Sequence, residues 1–124
     1  MRILFVDDSA AQADAFRRSF SASSYALVTA RNIAEARQAA QQAPFDLVII
    51  DYHLGAELGD ECLRELRPHA SEHTRFFLYT TDSDAFRRHR EMGFDGVLLL
   101  KGRSSVRSQV DAIARSIARV RAAG

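Results

Sequence analysis

The sequence lacks tryptophan and is poor in proline (two), cysteine (one) and lysine (one) across its 124 residues. A lone cysteine, Cys62, excludes an internal disulfide and any zinc site built from several thiolates. No apolar run approaches the ~18 residues that a bilayer-spanning helix needs, so no membrane span is expected. Internal repeats, low-complexity tracts and a Pro/Gly/Ser-rich linker are also missing. A single domain over residues 1–124, with no effector domain, is the expectation. The chain opens directly on a strand-like run, Ile3–Val6. It lacks the charged, apolar and small-residue sections of a signal peptide, so a cytoplasmic location is expected. An excess of one charge is absent too. Seventeen basic residues against sixteen acidic ones leave a net charge of +1, which gives no global pull toward nucleic acid or membrane.

What is present suits a folded core. Hydrophobic residues make up 47% and charged residues 27% of the chain, the balance of a globular domain rather than of disorder. Five short apolar runs occur at Ile3–Val6, Tyr25–Thr29, Phe45–Ile50, Phe76–Thr80 and Val97–Leu100. The third and fifth are continuous apolar blocks, as in strands covered on both faces. Between them the patterning predicts helices over 9–22, 33–42, 57–67, 83–91 and 104–121. Ser9 with Gln12, and Asn32 with Glu35, have capping-box spacing. In the last segment Val106, Val110, Ile113, Ile117 and Val120 form one apolar stripe. Strict alternation of strand and helix predicts an α/β fold, a doubly wound five-stranded parallel sheet with helices on both faces.

Open sheets of this kind bind ligands outside the carboxyl ends of their strands. Those ends carry Asp7 and Asp8, Asp51, Thr80 and Thr81, and the sole lysine, Lys101. Three converging carboxylates repel one another unless a cation relieves them. Mg2+ suits such a set, because it takes oxygen ligands and keeps several waters. A lysine and a hydroxyl beside them would complete a site for receiving a phosphoryl group. An aspartate can act as the nucleophile and become an aspartyl-phosphate. Asp51 is the candidate, standing between the acidic pair and the lysine.

The ordered set resembles a bacterial response-regulator receiver domain of the single-domain chemotaxis type, over essentially the whole chain. The matching residues are Ile3-Leu4-Phe5-Val6-Asp7-Asp8, Asp46 through Leu54, Leu78-Tyr79-Thr80-Thr81, and Gly93-Phe94-Asp95-Gly96 leading to Lys101. The resemblance implies a flavodoxin-like fold and a phosphoacceptor role for Asp51. It implies Mg2+ bound by Asp8, Asp51 and the His53 backbone carbonyl, with Asp7 acting mostly through water. Thr80 matches the switch hydroxyl and Lys101 the lysine on a phosphoryl oxygen. His53 and Asp82 match positions that tune hydrolysis. The implied donor is a sensor histidine kinase or histidine phosphotransfer protein. The implied output is a protein partner bound over residues 82–121, without direct contact to nucleic acid or membrane. The expected protein is a phosphoryl acceptor with slow self-dephosphorylation, not an enzyme.

Several positions depart from the pattern. Lys101 stands eight residues after Gly93 rather than seven, a shift that would turn a strand side chain to the other face unless a bulge intervenes. Gly102 replaces the usual proline, and Gly55 stands where proline is common. Val97-Leu98-Leu99-Leu100 lacks the aromatic residue that couples to the switch hydroxyl. These departures support an alternative, a receiver-shaped docking module that works without phosphorylation. A phosphohydrolase is disfavoured by the adjacent acids and the lack of an inserted cap. The glycines form neither a P-loop nor a dinucleotide fingerprint.

Other residues have simpler expectations. His69, His73 and His89 lack metal spacing and read as surface, and the His53 side chain reads as exposed loop. Asp82 serves equally well as a helix N-cap. Cys62 reads as helix packing, and Phe16, Phe20, Phe45, Phe76, Phe77 and Phe86 as core or groove lining. Arg103, Arg107, Arg115, Arg119 and Arg121 read as a solvated face or a docking face for an acidic partner.

Overall fold

A computed structural model describes residues 1–98 and 105–123. Lys101, Gly102 and Arg103 lie outside the described residues. Five strands form one sheet, β1 (Arg2–Val6), β2 (Ala26–Ala30), β3 (Leu47–Asp51), β6 (Arg75–Tyr79) and β7 (Gly96–Leu98). Their spatial order is β2-β1-β3-β6-β7 and every pair is parallel. The chain order reverses between β1 and β3, so the crevice for a ligand opens at the carboxyl ends of those two strands.

Alternation along each strand divides the core. Leu4, Val6, Val48, Ile50, Phe76 and Leu78 face one side, with Ala36, Ala40, Cys62, Leu63 and Leu66 packed on them. These helix residues belong to α2 (Ile33–Gln42) and α3 (Gly59–Leu66). Ile3, Phe5, Leu47, Ile49 and Leu98 face the other side, against Phe16 and Phe20 from the chain around α1 (Ala10–Ser19) and Val110 of α6 (Val106–Ala123). The central strands are therefore apolar on both faces, which explains their unbroken hydrophobic runs. β7 is an edge strand, and only Leu98 of its three residues is buried.

Both capping signals act. The Ser9 hydroxyl accepts the Gln12 N–H at 3.2 Å, and Asn32 accepts the Glu35 N–H at 2.9 Å. The return bonds differ from a capping box. Glu35 accepts from Arg31 N–H, and Ser9 N–H is taken by Asp7.

Three segments correct the sequence reading. Residues 57–58, expected to open the third helix, form β5 (Glu57–Leu58) instead, which pairs with β4 (His53–Leu54) in a hairpin turned at Gly55 with φ +66°. Such strands are too short for any periodic signal. The segment expected as one helix over 83–91 is two, α4 (Ser83–Arg87) and α5 (His89–Met92), broken at Arg88 with φ −98° and ψ 7°. The first helix ends at Ser19 rather than 22. Phe86, expected in the core or a groove, is 38% exposed. His69 and His89 are half-buried rather than on the open surface. Cys62 is buried, as expected, and burial pushes its thiol up to about 12. No helix among the described residues is long and apolar enough to cross a membrane.

Candidate functional site

Strand register brings the acids together. Val6 pairs with Ile50, so the residues that follow, Asp7 and Asp51, leave adjacent strand ends side by side. Asp7, Asp8 and Asp51 each offer a carboxylate oxygen within 4.8 Å of the other two. The three grade outward, with Asp7 buried, Asp51 half-buried and Asp8 exposed. An ion can therefore be held from below and reached from solvent.

The electrostatics follow from this crowding. Burial raises the Asp7 carboxyl above its usual range. The Ser9 N–H at 2.9 Å opposes the rise and Asp8 adds to it. Burial and then the Asp7 charge push Asp51 up to about 6, against a weak bond from His53 N–H at 3.4 Å. No ion pair reaches any of the three acids among the described residues. A crowded acid set of this kind, all oxygen and uncompensated, fits a hard divalent cation, which would offset the burial, and with it the repulsion, that raises Asp51.

Local backbone holds the set in place. Asp7 N–H bonds Ala30 O at 3.0 Å, locking the end of β1 to β2. The hairpin folds back so tightly that Gly59 N–H reaches Tyr52 O at 2.6 Å. A Cβ at Gly59 would stand 2.7 Å from Asp51 O, so only glycine fits there. Glu57 on β5 accepts the Ile33 N–H at 3.1 Å and ties the hairpin to the start of α2. Sequence reasoning missed that brace, which joins residues 24 apart with no local spacing to flag it.

Of the remaining predicted residues, those that the structure describes fall around this cluster. Asp51 pairs with Tyr79, which puts Thr80 one residue beyond the acid on the neighbouring strand. Thr80 is 8% exposed and its hydroxyl accepts the Asp82 N–H at 2.9 Å. Asp82 caps α4, accepting from the Asp84 and Ala85 N–H groups at 3.0 Å. These bonds, the Ala85 one first and then that of His53, hold the Asp82 carboxyl below its usual range. The His53 side chain is exposed, as expected, and its ring meets Asp82 Oδ2 through Nε2 at 2.9 Å. This pair joins the ends of β3 and β6. The signal for it was present, since His53 follows the end of β3 by two positions and Asp82 the end of β6 by three, but only the register shows that they meet. The arginine face of α6 is partly engaged. Arg107 bonds Ser19 O at 3.1 Å, and Arg121 bonds Asp46.

Comparison with known proteins agrees with this architecture. A family profile described as response regulator receiver domain matches residues 3–104. No curated protein sequence shows significant similarity to the chain. Among solved structures, the chain is similar to a Burkholderia pseudomallei response regulator with a phosphorylated aspartic acid, a calcium ion and citrate. That match has 24% identity and a TM-score of 0.78, covering 98% of this chain and 71% of the other. It is also similar to the Vibrio cholerae chemotaxis protein CheY4, with 24% identity and a TM-score of 0.76 over 92% of this chain and 96% of that one. The Thermotoga maritima response regulator TrrA, in complex with Mg2+ and BeF, matches at 22% identity and a TM-score of 0.76. Coverage there is 94% of this chain and 97% of the other.

Proposed function

The chain belongs to the response regulator receiver family, and on that premise we propose that Asp51 is the phosphoacceptor of a two-component phosphorelay. The observation that carries this reading is the meeting of Asp7, Asp8 and Asp51 oxygens within 4.8 Å at the reversal point of the sheet. The phosphorylated aspartic acid of the Burkholderia pseudomallei protein and the Mg2+ of the Thermotoga maritima one support it.

Asp8, Asp51 and the His53 backbone carbonyl would hold Mg2+, with Asp7 contributing mostly through water. When bound, the ion supplies positive charge against the carboxylates and the incoming phosphoryl oxygens. With a pKa of about 6, Asp51 is mostly ionised at neutral pH and ready to attack. The donor is a phosphohistidine on a sensor histidine kinase or a histidine phosphotransfer protein. An Asp51 oxygen forms a bond to phosphorus, the phosphorus–nitrogen bond breaks, and its electron pair stays on the donor imidazole. Thr80 then donates its hydroxyl proton in a hydrogen bond to a phosphoryl oxygen, and Lys101 places its ammonium on another. Water later attacks phosphorus, releasing inorganic phosphate and restoring the Asp51 carboxylate. The protein is thus an acceptor that resets slowly, not a turnover enzyme. Its cytoplasmic output is a changed surface over residues 82–121 that binds a partner protein, not nucleic acid.

The test is incubation with acetyl phosphate and Mg2+, followed by intact-mass measurement. Wild type gains one phosphoryl group and Asp51→Asn gains none. Equal gain by both proteins, or gain by neither, overturns the reading in favour of a docking module that needs no phosphorylation.

A further inference from the structure

Helix α4 is a weak element. It has five residues, and Ala85 is the only one it buries. A helix this short does not stand alone, because nucleation outweighs its few bonds. Its N-terminus hangs on one carboxylate. Asp82 Oδ1 takes two N–H groups of the first turn, those of Asp84 and Ala85, at 3.0 Å each. The other oxygen of the same carboxylate holds the His53 ring at 2.9 Å. His53 lies two residues beyond Asp51, and its own N–H touches Asp51 Oδ1. The Asp82 N–H is meanwhile bound to the Thr80 hydroxyl. A continuous chain of bonds therefore runs from the Asp51 carboxylate through His53 to the cap of α4, and a second arm runs from Thr80 to the same residue.

Resting on the phosphoacceptor reading, we infer that the His53–Asp82 contact is the link through which the state of Asp51 reaches α4, with both side chains acting as positioning residues. A group added to Asp51 competes for Oδ1, releases the His53 N–H and displaces the ring that Asp82 holds. Thr80 turning toward the new oxygens frees the Asp82 N–H at the same time. The cap then loses its two outside supports, and a helix with one buried residue changes position readily.

Two substitutions separate the link from the cap. His53→Ala removes the ring but keeps the backbone carbonyl. Asp82→Ser keeps an N-cap, since serine caps as well as aspartate, yet is too short to reach His53. Without ligand, each single variant should speed hydrogen exchange at the Phe86 and Arg88 amides about fivefold, the value of one lost hydrogen bond. The double variant should be no faster than either single one. No change in the single variants, or effects that multiply in the double one, overturns the link. With Mg2+ and beryllofluoride, fluorine NMR reads uptake and amide NMR reads α4. Asp82→Ser, which lies outside the metal-binding set, should take up the probe while its α4 shifts fall well below that of wild type. Undiminished α4 shifts overturn the inference, and so does lost uptake, which would put the Asp82 side chain in binding rather than in read-out. If wild type itself takes up none, the phosphoacceptor reading fails, and the exchange experiment alone decides whether the contact holds α4.

Discussion

The two halves of the sheet are built differently. In the β2-β1-β3 half, strands pair through up to five residues and are backed by ten-residue helices on either face. On the β6-β7 side the last pairing has three residues, and the chain between those strands is split into helices of five and four residues. The acids Asp7, Asp8 and Asp51 stand on the first half, while Thr80 and Asp82 stand on the second. Mutually repelling charges need a platform that does not yield, and three carboxylates stay within reach of one another only because β1 and β3 are pinned by core on both faces. A responding element needs the opposite, a marginal fit that a small local change can upset. The difference therefore follows the division of labour between holding a charge cluster and reporting on it.

The sharpest way to break the comparison is a matched pair of truncations. Ile49→Ala lies on β3, where the side chain is fully buried, and should lose ~2–5 kcal/mol of stability in denaturant unfolding. A loss no larger than that of an α4 surface variant would remove the distinction between the halves.

An effect of middle size tests the strain at the acid cluster. Asp51 has a folded pKa of about 6 against an ordinary value of 3.8. Between those values the folded protein holds a proton that the unfolded chain has lost. Stability of the metal-free protein therefore falls as pH rises through that window. Asp51→Asn removes the penalty. It should stabilise the metal-free protein at pH 7 by ~1–2 kcal/mol, after allowing for the water that screens a half-exposed pocket. The gain should vanish near pH 4, and urea midpoints at both values measure it. Mg2+ at ten times its dissociation constant should stabilise wild type by about 1.4 kcal/mol and the Asn variant far less. A destabilised Asn variant at neutral pH would show that Asp51 is not strained.

The smallest effect belongs to α4. Phe86, 38% exposed, should lose only about 1 kcal/mol of stability on replacement by serine, less than a fully buried side chain. Its expected consequence is weaker binding of a partner protein over residues 82–121, with phosphoryl uptake unchanged. A loss of several kcal/mol would place α4 in the core and remove the basis for its mobility.

Much of this was legible before any coordinates. Runs such as Leu47–Ile50 are apolar at every position, and only a strand covered on both faces accounts for that. The acids could be located because a parallel sheet sets all its strand ends on one side. Failures came where structure depends on few residues. The β4–β5 hairpin has two residues per strand, too few for a period, and it exists because Gly59 lets the backbone close on Asp51. The break at Arg88 interrupts a segment whose composition favours one helix, and that segment ends in the left-handed cap at Gly93. The exposure of Phe86 follows from the shortness of α4, which presents only one residue, Ala85, to the core.

The sequence by itself determined the layer architecture and the residue types at each strand end, because periodicity and burial are local properties of the chain. Tertiary structure alone decided which of those ends meet. The pairing of β1 with β3 set the three carboxylates within 4.8 Å, and the pairing of β3 with β6 brought His53 to Asp82. Register is a relation between distant segments. It comes from the packing of whole strands, and no spacing along one of them encodes it.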